Sequence, residues 1–168
     1  MAMPFEIETM EGGRLLVNCS FRSMLEHNGL LGSEQLWNAE GASVKKKLKE
    51  RVTERLLLKS PATGLPVEMF LKRYSRIPFK EYIKSALSFK PVFPDGAIHE
   101  WNALLAFHSK DIATMQPVAA ARCSKGTCLL TLAIEGYVRA SELLISSPPM
   151  GIARKRRLIA EMALLAAR

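Results

Sequence analysis

The residues best placed for chemistry are a lysine and a glutamate, Lys72 and Glu100. In the run Glu68-Met69-Phe70-Leu71-Lys72-Arg73-Tyr74, alternate side chains of a strand face opposite ways, so Lys72 shares a face with Phe70 and Tyr74. A lysine set between two aromatic residues is partly desolvated and seeks an anion. The plain alternative is an edge-strand lysine whose stem lies on apolar surface while its head reaches water. At about 100° per residue, Ala97, Ile98, Trp101, Leu104 and Leu105 form one apolar arc of a helix. Glu100 falls between Leu104 and Phe107 at the edge of that arc, whereas His99, Asn102 and Lys110 take the polar side. A carboxylate against an apolar stripe must find a cation or sit at an exposed rim.

Other reactive patterns are incomplete. The sequence has no GxxxxGK[ST] phosphate loop, no GxGxxG after a strand and no GxSxG elbow. His99-Glu100 begins an HExxH pattern, but Ala103 stands where the second histidine is needed. His99 and His108 lie on opposite sides of one helix, about 180° apart, and cannot chelate a single ion. Cys123 and Cys128 flank a turn-like Ser-Lys-Gly-Thr and could face each other as a disulfide or half a metal site. With an odd total of three cysteines and no CxxC pair, reduced thiols are expected and a zinc site is not.

The elements that must position these residues read as strands around one internal helix. Phe5, Ile7 and Thr9 alternate with polar neighbours, and Glu-Gly-Gly then leads into Arg14-Leu-Leu-Val17, which predicts a β-hairpin. A short helix is expected over 20–28, ended by Gly29, and a second one carrying Leu36 and Trp37, capped by Ser33 and broken by Gly41. Two strands are expected within 43–59, a turn at 60–64, and a strand over 67–74. Pro78 opens a helical stretch with Tyr82 and Leu87, and Pro91, Pro94 and Gly96 mark a loop. A helix is expected over 98–109, then a strand pair at 116–122 and 127–134 ended by Glu135-Gly136, a short helix at 141–146, and an amphipathic helix over 152–168. Strands on either side of a lone packed helix predict an α+β fold, an antiparallel sheet with helix on one face.

The 168 residues suit one domain with trailing helices, large enough to bury a core. An apolar fraction of 48% reads as globular, and no apolar run approaches the roughly 20 residues of a transmembrane helix. The N-terminus, with Glu6 and Glu8, does not read as a signal peptide. A net charge of +8 attracts phosphate groups of nucleotides, nucleic acid, acidic glycolipids or a membrane face without choosing among them. Much of it sits in Lys45, Lys46, Lys47, Lys49 and Arg51, and in Arg154 to Arg157.

A strand lysine followed by a helix with an inward glutamate is the arrangement of protein kinases, in which the lysine meets ATP phosphates and the glutamate orients it. The chain resembles one branch of that fold, the lipopolysaccharide kinases of the Kdo and heptose group. The resemblance lies in Val17-Asn18-Cys19-Ser20-Phe21, Leu36-Trp37-Asn38-Ala39-Glu40-Gly41, Phe70-Leu71-Lys72-Arg73, His99-Glu100-Trp101-Asn102-Ala103-Leu104, Thr114-Met115-Gln116-Pro117-Val118-Ala119 and Glu135-Gly136-Tyr137. It implies a kinase-like N-terminal lobe over 1–136, with 137–168 as a connector and the first helices of a C-terminal lobe. Lys72 matches the phosphate-contacting lysine and Glu100 its partner. Gly41 and Val44 fall in the phosphate-covering loop, and Leu132 and Glu135 in the hinge that bonds adenine through its backbone.

Three departures accompany the resemblance. Gly41 is the covering loop's only glycine, and Phe70 stands where protein kinases prefer a small residue, which narrows the adenine pocket. No segment before Arg168 matches the catalytic-loop or metal-binding aspartates, so no catalytic or metal residue is assigned. The implied function is the ATP-binding lobe of a lipopolysaccharide core sugar kinase-like protein, truncated and inactive alone, with ATP and magnesium bound only when the missing lobe is supplied. The implied partners are the lipopolysaccharide core or inner-membrane surface, and a separately encoded C-terminal lobe or a second copy. The implied place is cytoplasmic, peripheral at the inner membrane. The competing reading is a non-enzymatic basic module for nucleic acid or an anionic membrane. The two differ on Lys72, which pairs with Glu100 in a phosphate site, whereas a binding surface uses the Lys45–Arg51 cluster.

Overall fold

A computed structural model of the chain describes residues 5–43, 51–76, 95–134 and 151–166. The chain divides into two compact units, Met1–Ala133 and Ile134–Arg168. The first is α+β. Its strands are β1 (Ile7–Met10), β2 (Leu15–Asn18), β3 (Ala42–Ser43), β4 (Arg51–Lys59), β5 (Pro66–Ser75), β6 (Pro117–Cys123) and β7 (Gly126–Leu132). They form one seven-stranded sheet in the order β1-β2-β6-β7-β5-β4-β3, antiparallel at every pairing. The helices of this unit are α1 (Arg22–His27), α2 (Ser33–Asn38) and α3 (Gly96–His108).

The connection from β5 to β6 carries α3 and skips a strand position, which β7 then fills. Helix α3 therefore lies across β6, β7 and the near side of β5. Ala97, Ile98, Trp101 and Leu104 pack there on Ala120 and Leu129, with Leu16 and Tyr74 at the margin. Its first turn has no side-chain cap from Asp95; instead the Ala97 amide donates to Thr127 Oγ1 at 3.3 Å, so the sheet satisfies a helix-start N–H.

The expectation of helix on one face only is corrected. Helices α1 and α2 cover the opposite face, where Phe21, Leu25, Leu36 and Trp37 pack on Leu56, Leu58, Met69, Leu71, Ala119, Ala121 and Leu130. The strands are apolar on both sides at β6 and β7, so both faces need a cover. Ser33 does not cap α2; Gly32 holds that position, and the Ser33 hydroxyl donates to the Glu11 carboxylate at 2.5 Å. At the other end of α2, Arg73 from β5 donates to the carbonyls of Trp37 and Ala39 and pairs with Glu54 at 2.5 Å. Gly96, expected in a loop, opens α3. The expected helices over 78–87 and 141–146 and the strand end at Glu135-Gly136 lie outside the described residues.

In the second unit the described helix is α4 (Ile152–Ala166), with Arg157 bonded to Glu161 one turn on at 2.9 Å. Ile152, Ile159 and Leu164 are exposed on it. Among the described residues no helix is long and apolar enough to cross a membrane.

Candidate functional site

The β4–β5 and β5–β7 registers fix what surrounds Lys72. Thr53 lies opposite it on β4 and Leu129 opposite it on β7, while Arg51 lies opposite Tyr74. Residues two apart on a strand share a face, so Arg51, Thr53, Arg55 and Leu57 of β4 share one with Phe70, Lys72 and Tyr74 of β5. Burial across this face is graded. Leu57 is 58% exposed at β4, whereas Leu129 and Ala120 are sealed beneath α3. Lys72 stands at the boundary and is 8% exposed, so its ammonium has lost most of its water.

Helix α3 supplies the counter-charge. Lys72 Nζ bonds Glu100 Oε1, and the Tyr74 hydroxyl donates to Glu100 Oε2. Arg51 Nη2 lies 3.8 Å from the same Oε2, and its guanidinium stands 5.1 Å over the Tyr74 ring. Burial alone would push the Glu100 carboxyl up. The bonds from Lys72 and Tyr74, with the charges of Lys72 and Arg51, outweigh it and hold the group below its ordinary value. Glu100 is therefore a carboxylate at neutral pH. Tyr74 moves the other way: burial first, then its bond to Glu100 and the carboxylate's charge, raise the phenol and keep it a donor.

Gly96 makes this geometry reachable. A Cβ there would stand 2.7 Å from Tyr74 Cδ1, so only glycine lets the start of α3 lie against the tyrosine ring. Glu100 then falls one turn on, facing β5.

No protein-family model, no curated protein and no solved structure matches this chain. The site therefore rests on its own geometry.

Of the residues expected from sequence, the structure brings Lys72 and Glu100 together. Gly41 lies just before β3 at the sheet edge, where a Cβ on it would meet the Arg55 carbonyl oxygen at 2.6 Å, so this glycine allows close backbone packing. Leu132 ends β7 opposite Met69. Its amide donates to the Gln116 carbonyl at 3.0 Å and that of Ala133 to Glu68 at 3.0 Å, so the first two hinge positions already spend their N–H groups on the sheet. Val44 and Glu135 lie outside the described residues.

Sequence reasoning missed Arg51 and Tyr74 as members of the cluster. Tyr74 was legible as a face-mate of Lys72. Arg51 stood in a run of basic residues, and only strand pairing distinguishes it from the others. Cys123, Cys128 and Cys19 are free thiols. Among the described residues no group of three or more His, Cys, Asp or Glu side chains comes together to hold a metal ion.

Proposed function

We propose that the unit over 5–133 is the nucleotide-holding lobe of a kinase-like protein of the lipopolysaccharide core sugar type, with Lys72 contacting the phosphates of ATP and Glu100 orienting Lys72. The observation that carries this reading is the Lys72–Glu100 ion pair, made between a strand and the helix that follows it in the chain. Kinases use that pair to hold the lysine against ATP phosphates. The basic-surface reading has no need of it.

The residues present suit a phosphate-bearing ligand. An ammonium has three donors, so Lys72 can keep Glu100 and still bond a phosphate oxygen. Glu100 fixes where the head group lies and so lowers the entropy lost when an anion arrives. On the same face, half-buried Phe70 and exposed Leu57 give apolar surface beside the charge. Bound ATP would supply the phosphoryl group; transfer itself is assigned to no residue of this chain, and magnesium is given no ligand in this unit. The lipopolysaccharide core as acceptor, a C-terminal lobe encoded separately or provided by a second copy, and a cytoplasmic place at the inner-membrane surface follow from the sequence resemblance.

The test is calorimetric titration of the chain with ATP at low salt. Lys72→Met should weaken binding at least tenfold, the equivalent of about 1.4 kcal/mol, while the circular dichroism spectrum stays unchanged. ATP binding that survives Lys72→Met at full strength would remove the phosphate role from this lysine.

A further inference from the structure

Resting on that reading, we propose that Arg51 is the second phosphate-binding residue of the site, meeting the same ligand as Lys72. Lys72 and Arg51 emerge on one face of neighbouring strands and meet opposite oxygens of the same carboxylate. Two cations thus share one carboxylate, and Tyr74 stays neutral, which leaves the cluster one positive charge in surplus. Surplus charge at a half-dry boundary attracts an anion more strongly than the same charge in open water.

The two cations differ in access. The Lys72 side chain is 10% exposed and that of Arg51 is 44% exposed. A ligand arriving from solvent meets Arg51 first. The contact of Arg51 with Glu100, at 3.8 Å, is looser than a hydrogen bond, so little is lost when the guanidinium turns toward another anion. Its plane remains steadied over the Tyr74 ring, which holds the fork in place without occupying its donors. Both cations already meet the two oxygens of one carboxylate, so an incoming phosphate group with its several oxygens can meet both as well.

The experiment titrates the full chain, without metal, with inorganic tripolyphosphate. Wild type should bind it, and Arg51→Met should weaken that binding about tenfold. Arg51→Lys should recover part of the loss, since a point charge replaces a fork. Arg51 is 44% exposed and its contact with Glu100, at 3.8 Å, is loose, so the Arg51→Met chain should melt close to wild type and the comparison stays interpretable. Tripolyphosphate binding lost in Lys72→Met but unchanged in Arg51→Met overturns the role of Arg51 and leaves the Lys72 site standing. Binding unchanged in Lys72→Met overturns the phosphate site itself, and this inference with it.

Discussion

Glu100 is the one carboxylate at the centre of a small charged cluster, and its protonation should register in stability. Its folded pKa lies below its ordinary value, although burial opposes this, because Lys72 and Tyr74 bond it and Lys72 and Arg51 carry positive charge beside it. A carboxyl with a depressed folded pKa contributes stability that is complete above its unfolded value, about 4.3, and is lost as pH falls through the lower folded value. Wild type should therefore lose more thermal stability between about pH 5 and pH 3 than Glu100→Gln does. Glu11 is also held low, chiefly by the Ser33 hydroxyl, and titrates in the same window, so the quantity to compare is the difference between the two chains. Parallel pH curves would show that Glu100 is not ionically paired. At neutral pH, Glu100→Ala should cost about 3 kcal/mol, because it strands the buried Lys72 ammonium. Lys72→Met should cost less, since Glu100 keeps Tyr74 and Arg51. Urea unfolding of the two variants ranks them; the reverse order would mean that Lys72 is better hydrated than its 8% exposure implies.

At the scale of elements, the site depends on how closely α3 approaches β5. Gly96 sets that distance, because any side chain there meets the Tyr74 ring at 2.7 Å. Gly96→Ala tests it with two opposed effects. Alanine is the better helix former by up to about 1 kcal/mol, and less than that in a first turn. Overpacking typically costs about 1–3 kcal/mol. The Tyr74 ring has little room to retreat: its hydroxyl is held by Glu100, and Arg51 covers its face. The clash should win, with a net loss of about 1–2 kcal/mol in urea unfolding and weaker phosphate binding, as Glu100 is lifted from Lys72. A Gly96→Ala chain as stable as wild type would show that α3 does not bear on the ring. On the opposite face Arg73 plays the matching part for α2, bonding the Trp37 and Ala39 carbonyls that end the helix while Glu54 balances its charge.

At the scale of the whole molecule, the two units differ in how their apolar residues are covered. In the first, Leu15, Val17, Met69, Leu71, Leu129 and Leu130 have no exposed surface. In the second, Ile152, Ile159 and Leu164 of α4 are 73%, 60% and 69% exposed. A helix of 15 residues is marginal by itself, since most helical stability comes from packing an apolar face. Burying three such side chains would return several kcal/mol at roughly 2 each, which gives self-association a driving force. Amide exchange over 153–168 should be fast in dilute protein and slow as concentration rises. Slow exchange that does not depend on concentration would mean that α4 docks within its own chain.

The sequence alone determined the local periodicities. The alternation through 67–74, the Glu-Gly-Gly turn, the apolar arc of 97–105 and the amphipathic run from Ile152 all carry their signal within a few residues, and the described strands and helices follow them. Those same periodicities placed Lys72 among aromatic side chains and Glu100 at the edge of an apolar stripe. They could not join the two, because a period of 2 or 3.6 reports which way a side chain points from its own element and nothing about what it meets. The meeting was decided by strand order: β5 pairs with β4 and β7, so Lys72 is flanked by Thr53 and Leu129, and the crossover carries α3 over the site. Strand order also drew Arg51 out of a basic run to stand over Tyr74, and gave the second face of the sheet to α1 and α2. Those partners are distant in sequence, Lys72 and Glu100 being 28 positions apart, and their pairing is fixed by how two apolar sheet faces can be covered at once.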